Sequence, residues 1–403
     1  MKTSICSNWE FTPQWNEEFM HFQGEGEAVE LPHNPVELPL HYADHEAYQL
    51  VCGYRRKLEL PADIAGKRYF LQFDGAAHIA SVFVNGVAAG EHRCGYTAFQ
   101  LDITGLVKPG ENEVAVRLDT TENPEVPPFG FVIDYLTYGG LYREAWLIEK
   151  NASFIRDVTV VTPTVDRAEI EVETENFSGE VDYAILTQSG ETLWHSREKK
   201  LKVSAQRLSA RPWRPEEPNR YVLRVRLMNG GEVLDEEQVL FGFRTAEFNA
   251  DGFYLNGEKF FLRGLNRHQS FPYIGYAATE SLQREDARIL KEELHCTAVR
   301  TSHYPQSQYF IDECDKLGLL VFTEIPGWQH IGDAQWKEQA CTNVEEMVKQ
   351  YRNHPSIILW GVRINESVDD DAFYRQTNKI AHKLDASRAT SGVRYLEKSK
   401  LLE

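Results

Sequence analysis

An asparagine and a glutamate, Asn365 and Glu366, stand just beyond the run Ser356-Ile-Ile-Leu-Trp360. A continuous apolar run of strand length reads as a strand buried on both faces, as in a parallel barrel. Barrels keep their chemistry at the C-terminal ends of such strands. A carboxylic acid there can give up a proton while the neighbouring amide hydrogen-bonds the same ligand. That pairing suits cleavage of a glycosidic bond, which ordinarily takes two carboxylates. Two further segments fall at the ends of strand patterns, Asn266-Arg267-His268 and Arg300-Thr-Ser-His303-Tyr-Pro305. Each residue alone has a structural reading: a salt-bridged Arg300, a capped loop His303, or a Glu366 stabilised by a helix N-terminus. Their convergence at one barrel face, with Trp360 just before the loop, favours a site for a polyhydroxylated ligand.

The elements that must position these residues change character along the chain. Residues 1–150 alternate apolar and polar in short runs, Tyr54–Leu60, Arg68–Phe73, Ser81–Val84 and Glu113–Leu118. Asn85-Gly86 between two such runs predicts a hairpin, because both turn positions need positive φ. Residues 151–247 continue the pattern in Ala168–Thr174, Val181–Leu186 and Tyr221–Leu227. Room for about seven short strands there suits an immunoglobulin-like sandwich. From about residue 248 strands alternate with helices. Strands are expected at Phe260–Leu265, Val299–Ser302, Leu319–Thr323, Ser356–Trp360 and from Ser391 to Tyr395. Helices are expected at Ser281–Leu294, Gln306–Leu317 closed by Gly318, Asn343–Arg352 and Asp371–Leu384. Repeated βα units make a parallel sheet, and eight would close a barrel of about 250 residues. Residues 248–403 hold four units and the start of a fifth, so the expectation is a chain ending in mid-barrel. Uncovered strand edges of that kind call for a partner copy or for the remainder of a longer protein.

Composition narrows the partners. With 403 residues, of which 42% are hydrophobic and 12% aromatic, the chain can build two to four cores. A formal charge of -18, from 43 Lys and Arg against 61 Asp and Glu, repels nucleic acid and anionic membrane. Cys6, Cys52, Cys94, Cys296, Cys314 and Cys341 show no CxxC spacing, which argues against zinc or a disulfide framework. The N-terminal residues lack an apolar leader and no stretch has the length of a membrane span, so the cytoplasm is the expected location.

Longer motifs carry a resemblance. Arg300-Thr-Ser-His-Tyr-Pro305, Asp315-Lys-Leu-Gly318 and Leu319-Leu-Val-Phe322 form one; Arg352-Asn-His-Pro-Ser-Ile-Ile-Leu-Trp360-Gly with Asn365-Glu366 forms another. Both are similar to motifs of glycoside hydrolase family 2, the β-galactosidase and β-glucuronidase group, although Thr297 stands where Asn is more usual. Upstream, Ser81-Val-Phe-Val-Asn-Gly86, Gly95-Tyr96, Leu101-Asp-Ile-Thr104 and Tyr138-Gly-Gly-Leu-Tyr-Arg143 resemble the family's sugar-binding jelly roll. Phe241-Gly-Phe-Arg244 resembles the end of its immunoglobulin-like domain, so the likeness covers essentially the whole chain.

The resemblance implies a jelly-roll sandwich at 1–150, an immunoglobulin-like sandwich at 151–247 and the N-terminal half of a (β/α)8 barrel at 248–403. It implies that Glu366 is the general acid and base of a retaining exo-β-glycosidase. Such a group keeps its proton near neutral pH through a neighbouring carboxylate and partial desolvation. Asn365 would bond the sugar 2-hydroxyl, Arg300 would orient the nucleophile, and His303 and His268 would contact hydroxyls. Trp328 would offer a ring face, and Asp134, on the loop Pro127–Tyr135, would reach the barrel mouth. In the family the nucleophile comes from a later strand, so Glu324 is not expected to fill that role. Magnesium or sodium serves some relatives, but no ligand cluster calls for it here. Ser367 after Glu366, where β-glucuronidases more often have Pro, tilts the expectation towards terminal β-galactosides. The alternatives are a β-glucuronidase, whose sugar recognition would draw on residues beyond 403, and a non-catalytic carbohydrate-binding fragment.

Overall fold

The computed structural model describes residues 1–38, 44–130 and 133–395, arranged as two β-sandwiches followed by a parallel βα segment. In the first sandwich, period-two alternation puts Val82, Val84, Val114, Val116 and Leu118 on one buried face. Their strands, Ile79–Val84 and Gly110–Asp119, belong to a six-stranded antiparallel sheet. It packs over a four-stranded sheet containing Lys67–Phe73, whose Leu71 and Phe73 enter the same core. Asn85 and Gly86 have φ of 50° and 76°, and Val84 pairs with Val87 across them, which is the expected hairpin.

The second sandwich has seven strands in sheets of three and four, closed over Ile170, Val172, Tyr183, Ile185, Leu223 and Val225. Arg167–Glu175, Glu180–Thr187 and Tyr221–Asn229 contain the three runs whose alternation marked this region.

The third segment holds a five-stranded parallel sheet: β1 (Gly264–Asn266), β2 (Ala298–Thr301), β3 (Leu320–Glu324), β4 (Ile357–Gly361) and β5 (Ala389–Ser391). The helices between them are α1 (Glu280–Arg288, continued by a π turn through Glu293), α2 (Gln308–Leu317), α3 (Ala334–Tyr351) and α4 (Asp371–Leu384). They cover the outer face through Phe310, Ile311, Trp336, Val344, Met347 and Val348. Gly318 ends α2 at φ 72°, the left-handed cap its position predicts.

Two expected strands are displaced. Parallel pairing begins only at Gly264, because Glu258–Lys259 is spent in a small antiparallel sheet whose Phe253 and Leu255 pack on Leu320 and Ile358 and plug the barrel bottom. The last strand ends at Ser391, where it was expected to start, since Gly361 pairs with Ser391 and the chain then turns towards the site. Helix α3 also starts nine residues earlier than its apolar spacing suggests (334 against 343), with Asp333 as its cap. On the inner side of the sheet, Phe248, Leu262, Leu265, Phe322 and Leu359 line an open groove of about 210 Å³.

The modules are bolted together by buried polar groups. Arg143 of the first sandwich donates to Gln269 Oε1 and Pro305 O, each at 3.0 Å, in the barrel segment. Trp336 Nε1 donates to Phe129 O at 3.0 Å, and Thr97 Oγ1 to Glu346 Oε2 at 2.6 Å. From the second sandwich, Arg244 Nε donates to Pro355 O at 2.8 Å, while Asn353 brackets Val158 and Val160. No helix among the described residues is long and apolar enough to cross a membrane.

Candidate active site

The C-terminal ends of β2, β3 and β4 bring Arg300, Glu324 and the segment Asn365-Glu366 together. Arg300 is the hub. Its Nε and Nη2 grip both oxygens of Glu324 at 2.8–2.9 Å, and Nη2 also donates to Asn365 Oδ1 at 2.7 Å. Guanidinium has no acceptor, so Asn365 must present its oxygen rather than its NH2 to Arg300. His303 Nδ1 lies 2.7 Å from Glu324 Oε1. Glu324, only 1% exposed, is thereby hydrogen-bonded from two sides. The fork of Arg300, the residue expected to orient the nucleophile, holds Glu324 in a bidentate pairing.

The loop after β4 aims Glu366. Trp328 forms an isolated parallel bridge with Asn365, and Glu366 N donates to Val393 O at 2.7 Å. Glu366 sits at φ 52° and is half-buried, four residues before Asp370, the cap of α4, so it is not a helix-terminal carboxylate. Arg363, 1% exposed, holds the loop by donating to Ser367 O and Asp369 Oδ1. Ser367 is buried, with its hydroxyl on Ile364 O and Tyr374 OH, so it shapes the loop from within.

The remaining expected residues gather on one side. The ring centroids of His268 and His303 are 5.5 Å apart, and His268 Nδ1 meets Tyr304 OH at 3.0 Å. Desolvation of the faces turned to its aromatic neighbours, then the charge of His303, pushes His268 down to about 4, although the residue keeps an exposed edge. Asp134 is exposed beside His268, at the end of a loop whose residues 131 and 132 lie outside the described ones. Trp328 is half-buried, and its Nε1 has no partner among the described residues.

Two residues escaped the sequence reading. Tyr135 packs against His268 at 5.2 Å and His303 at 5.8 Å, carrying the first sandwich into the mouth. Gln329 Nε2 donates to Glu366 Oε2 at 3.3 Å. Adjacency to Asp134 and Trp328 was the only signal for either.

A divalent cation needs carboxylate oxygens free to ligate. Glu324 has both committed to Arg300 and His303. Among the described residues, Asp312, Asp315 and His354 could crowd one ion. They lie at the opposite end of β4, where His354 Nδ1 is taken by Asp315 and Nε2 by Gln308.

Polar residues from several strand ends thus face a mouth completed by a sandwich loop. Residues 27–151, 153–244 and 247–401 match, in turn, the sugar binding domain of glycosyl hydrolases family 2, the family's central domain and its TIM barrel domain. The chain belongs to that family. It is 45% identical over 393 residues to a β-galactosidase of Thermoanaerobacter pseudethanolicus, covering 94% of this chain and 53% of the relative. It is 43% identical over 421 residues to one of Thermoanaerobacterium thermosulfurigenes, covering 99% and 59%. The chain thus spans little more than half the length of these relatives. Among solved structures, an FMN-binding β-glucuronidase from Facaelibacterium prausnitzii L2-6 superposes with a TM-score of 0.86 at 28% identity, covering 97% of this chain and 63% of that one.

Proposed function

We propose that these residues form the acid-base half of a retaining exo-β-glycosidase acting on terminal β-D-galactosides. The observation that carries the reading is the pair at the end of β4: Glu366 beside an Asn365 whose side-chain oxygen is fixed by Arg300. In the first step the C1–O bond breaks, its electron pair goes to the leaving oxygen, and that oxygen takes the proton of Glu366. A carboxylate forms the glycosyl ester at C1. In the second step water adds to C1, its proton returns to Glu366, and the nucleophile leaves as carboxylate. Asn365 NH2 meets the sugar 2-hydroxyl. His303, neutral His268 and Asp134 meet the other hydroxyls, and Trp328 offers a ring face.

The nucleophile belongs to a barrel strand later than β5. Glu324 is unsuited to it, because it is 1% exposed, beneath Arg300 and His303, out of reach of a sugar carbon. Action in the cytoplasm is part of the proposal and is supported by six unpaired cysteines.

Galactose is preferred over glucuronic acid because both of the more similar relatives are named β-galactosidases. The β-glucuronidase reading is favoured by the solved structure, at lower identity. Chromogenic β-galactosides and β-glucuronides, offered to the complete protein and to its Glu366→Gln variant, decide between them. Turnover of the galactoside that disappears in the variant is expected, with little or none from residues 1–403 alone. Binding without any turnover by the complete protein would leave a carbohydrate-binding module instead.

A further inference from the structure

Gln329 occupies a position that the reaction leaves unexplained. It is the central residue of a three-residue turn in which His330 N donates to Trp328 O at 2.7 Å, with φ of 60°. A γ-turn of that hand is rare and strained for a residue with a side chain. Its backbone N–H donates to Asn365 O at 2.7 Å, and its side-chain amide reaches Glu366 Oε2. Glu366, opposite, also has a positive φ. Two non-glycine residues held left-handed on facing loops, joined through backbone and side chain, are a costly arrangement that persists only where the surroundings enforce it.

We infer that Gln329 is the positioning residue of the acid-base carboxyl, a neutral amide that serves both protonation states of Glu366. When Glu366 is a carboxylate, the amide NH2 donates to Oε2, as seen here. When Glu366 carries its proton, a half-turn of the same amide offers the carbonyl oxygen to the acid O–H. A cation at this place would favour only the charged state, and a second carboxylate only the protonated one. A carboxyl that must alternate between acid and base is better served by a group able to donate or accept. This inference rests on Glu366 being the acid and base, and its test has one arm that does not.

In the 403-residue chain, the side-chain 15N–1H resonances of Gln329 are compared with those of Glu366→Leu at neutral pH. A displaced, slowly exchanging amide in the parent that returns to the ordinary position in the variant is expected; resonances indifferent to Glu366→Leu overturn the contact. In the catalytically active protein, Gln329→Met keeps the side-chain length and removes the amide. Its kcat/KM should fall about tenfold on an alkyl β-galactoside, whose leaving oxygen needs a proton, and less than about threefold on a dinitrophenyl galactoside, which needs none. Equal losses on both substrates, or none, with an unchanged thermal melt, overturn the positioning role. Absence of any Glu366-dependent hydrolysis sinks the glycosidase reading instead, and the amide resonances still decide whether Gln329 holds Glu366.

Discussion

Replacing Arg300 by Met tests whether a buried ion pair, rather than packing alone, assembles the mouth. The guanidinium makes three contacts of 2.8–2.9 Å with Glu324 and one of 2.7 Å with Asn365. Glu324 is 1% exposed, so Arg300→Met strands a carboxylate whose remaining partner is His303. Breaking such a pair from one side costs about 3–5 kcal/mol, because the orphaned charge keeps its full desolvation penalty. The Arg300 side chain is 15% exposed, and water entering its place puts the expectation near the lower bound, about 3 kcal/mol. That is a hundredfold shift in the folding equilibrium of the barrel segment. Urea unfolding followed by tryptophan fluorescence reads it, with the barrel transition fitted separately from those of the sandwiches. The control is a double-mutant cycle with Glu324→Gln, in which no charge remains buried. The double variant should be more stable than Arg300→Met alone. A loss below about 1 kcal/mol for the single change, or singles that simply add, would refute the view that this ion pair holds the site together.

Three further outcomes follow from the geometry. Asn365→Ala should lower kcat/KM on a β-galactoside by about two orders of magnitude, in line with the several kcal/mol carried by the 2-hydroxyl contact, and much less on the 2-deoxy sugar; equal losses would remove that role. Arg143→Met deletes a buried cation donating to four acceptors on two modules, and should cost at least about 3 kcal/mol, seen as easier proteolytic separation of the first sandwich. His78 is 1% exposed, burial pushes it down to about 3, and both ring nitrogens lack a protein partner. Between pH 3 and 6.5 the unfolded chain therefore binds the extra proton, so stability rises with pH across that window by up to about 1.4 kcal/mol per unit. His78→Leu should flatten this slope in urea titrations, and an unchanged slope counts against the assignment.

Much of the fold was legible because its signals are local. Alternation marks Val114, Val116 and Leu118, a turn dipeptide marks 85–86, and an unbroken apolar run marks β4; none of these needs a distant partner to be read. The strand ends were legible for the same reason, and with them Arg300, His303, Asn365 and Glu366. What was hidden depends on contacts across modules. Asn353 and His354 sit in a motif that reads as the approach to a catalytic strand, and Arg244 in one that reads as the end of a sandwich, yet they dock that sandwich, bind Asp315 and cap backbone carbonyls of the barrel segment. The first nine residues of α3 carry few apolar side chains, and Trp336 is fixed by a carbonyl two hundred residues upstream. Gln329 is placed by a backbone conformation that its residue type disfavours, so propensity points away from it.

The same distinction explains how half a barrel can hold an ordered site. A parallel sheet needs its helices and neighbouring strands for stability, and its chemistry needs only the strand ends that converge on the ligand. Here Asn365 is oriented by Arg300 from β2, Arg300 is anchored on Glu324 from β3, and Glu366 is held by Gln329 after β3 and by Val393 after β5. Tyr135 closes the circle from the first sandwich. The anchors lie one or two strands away from the groups they fix, so the segment Asn365-Glu366 is held through its own neighbours rather than through the inner groove lined by Leu265 and Phe322. Preorganisation of this kind fixes where a sugar would sit before any attack on it is possible. Under the proposed function, recognition and proton transfer lie on the residues described, and the nucleophile is a separable component of the reaction.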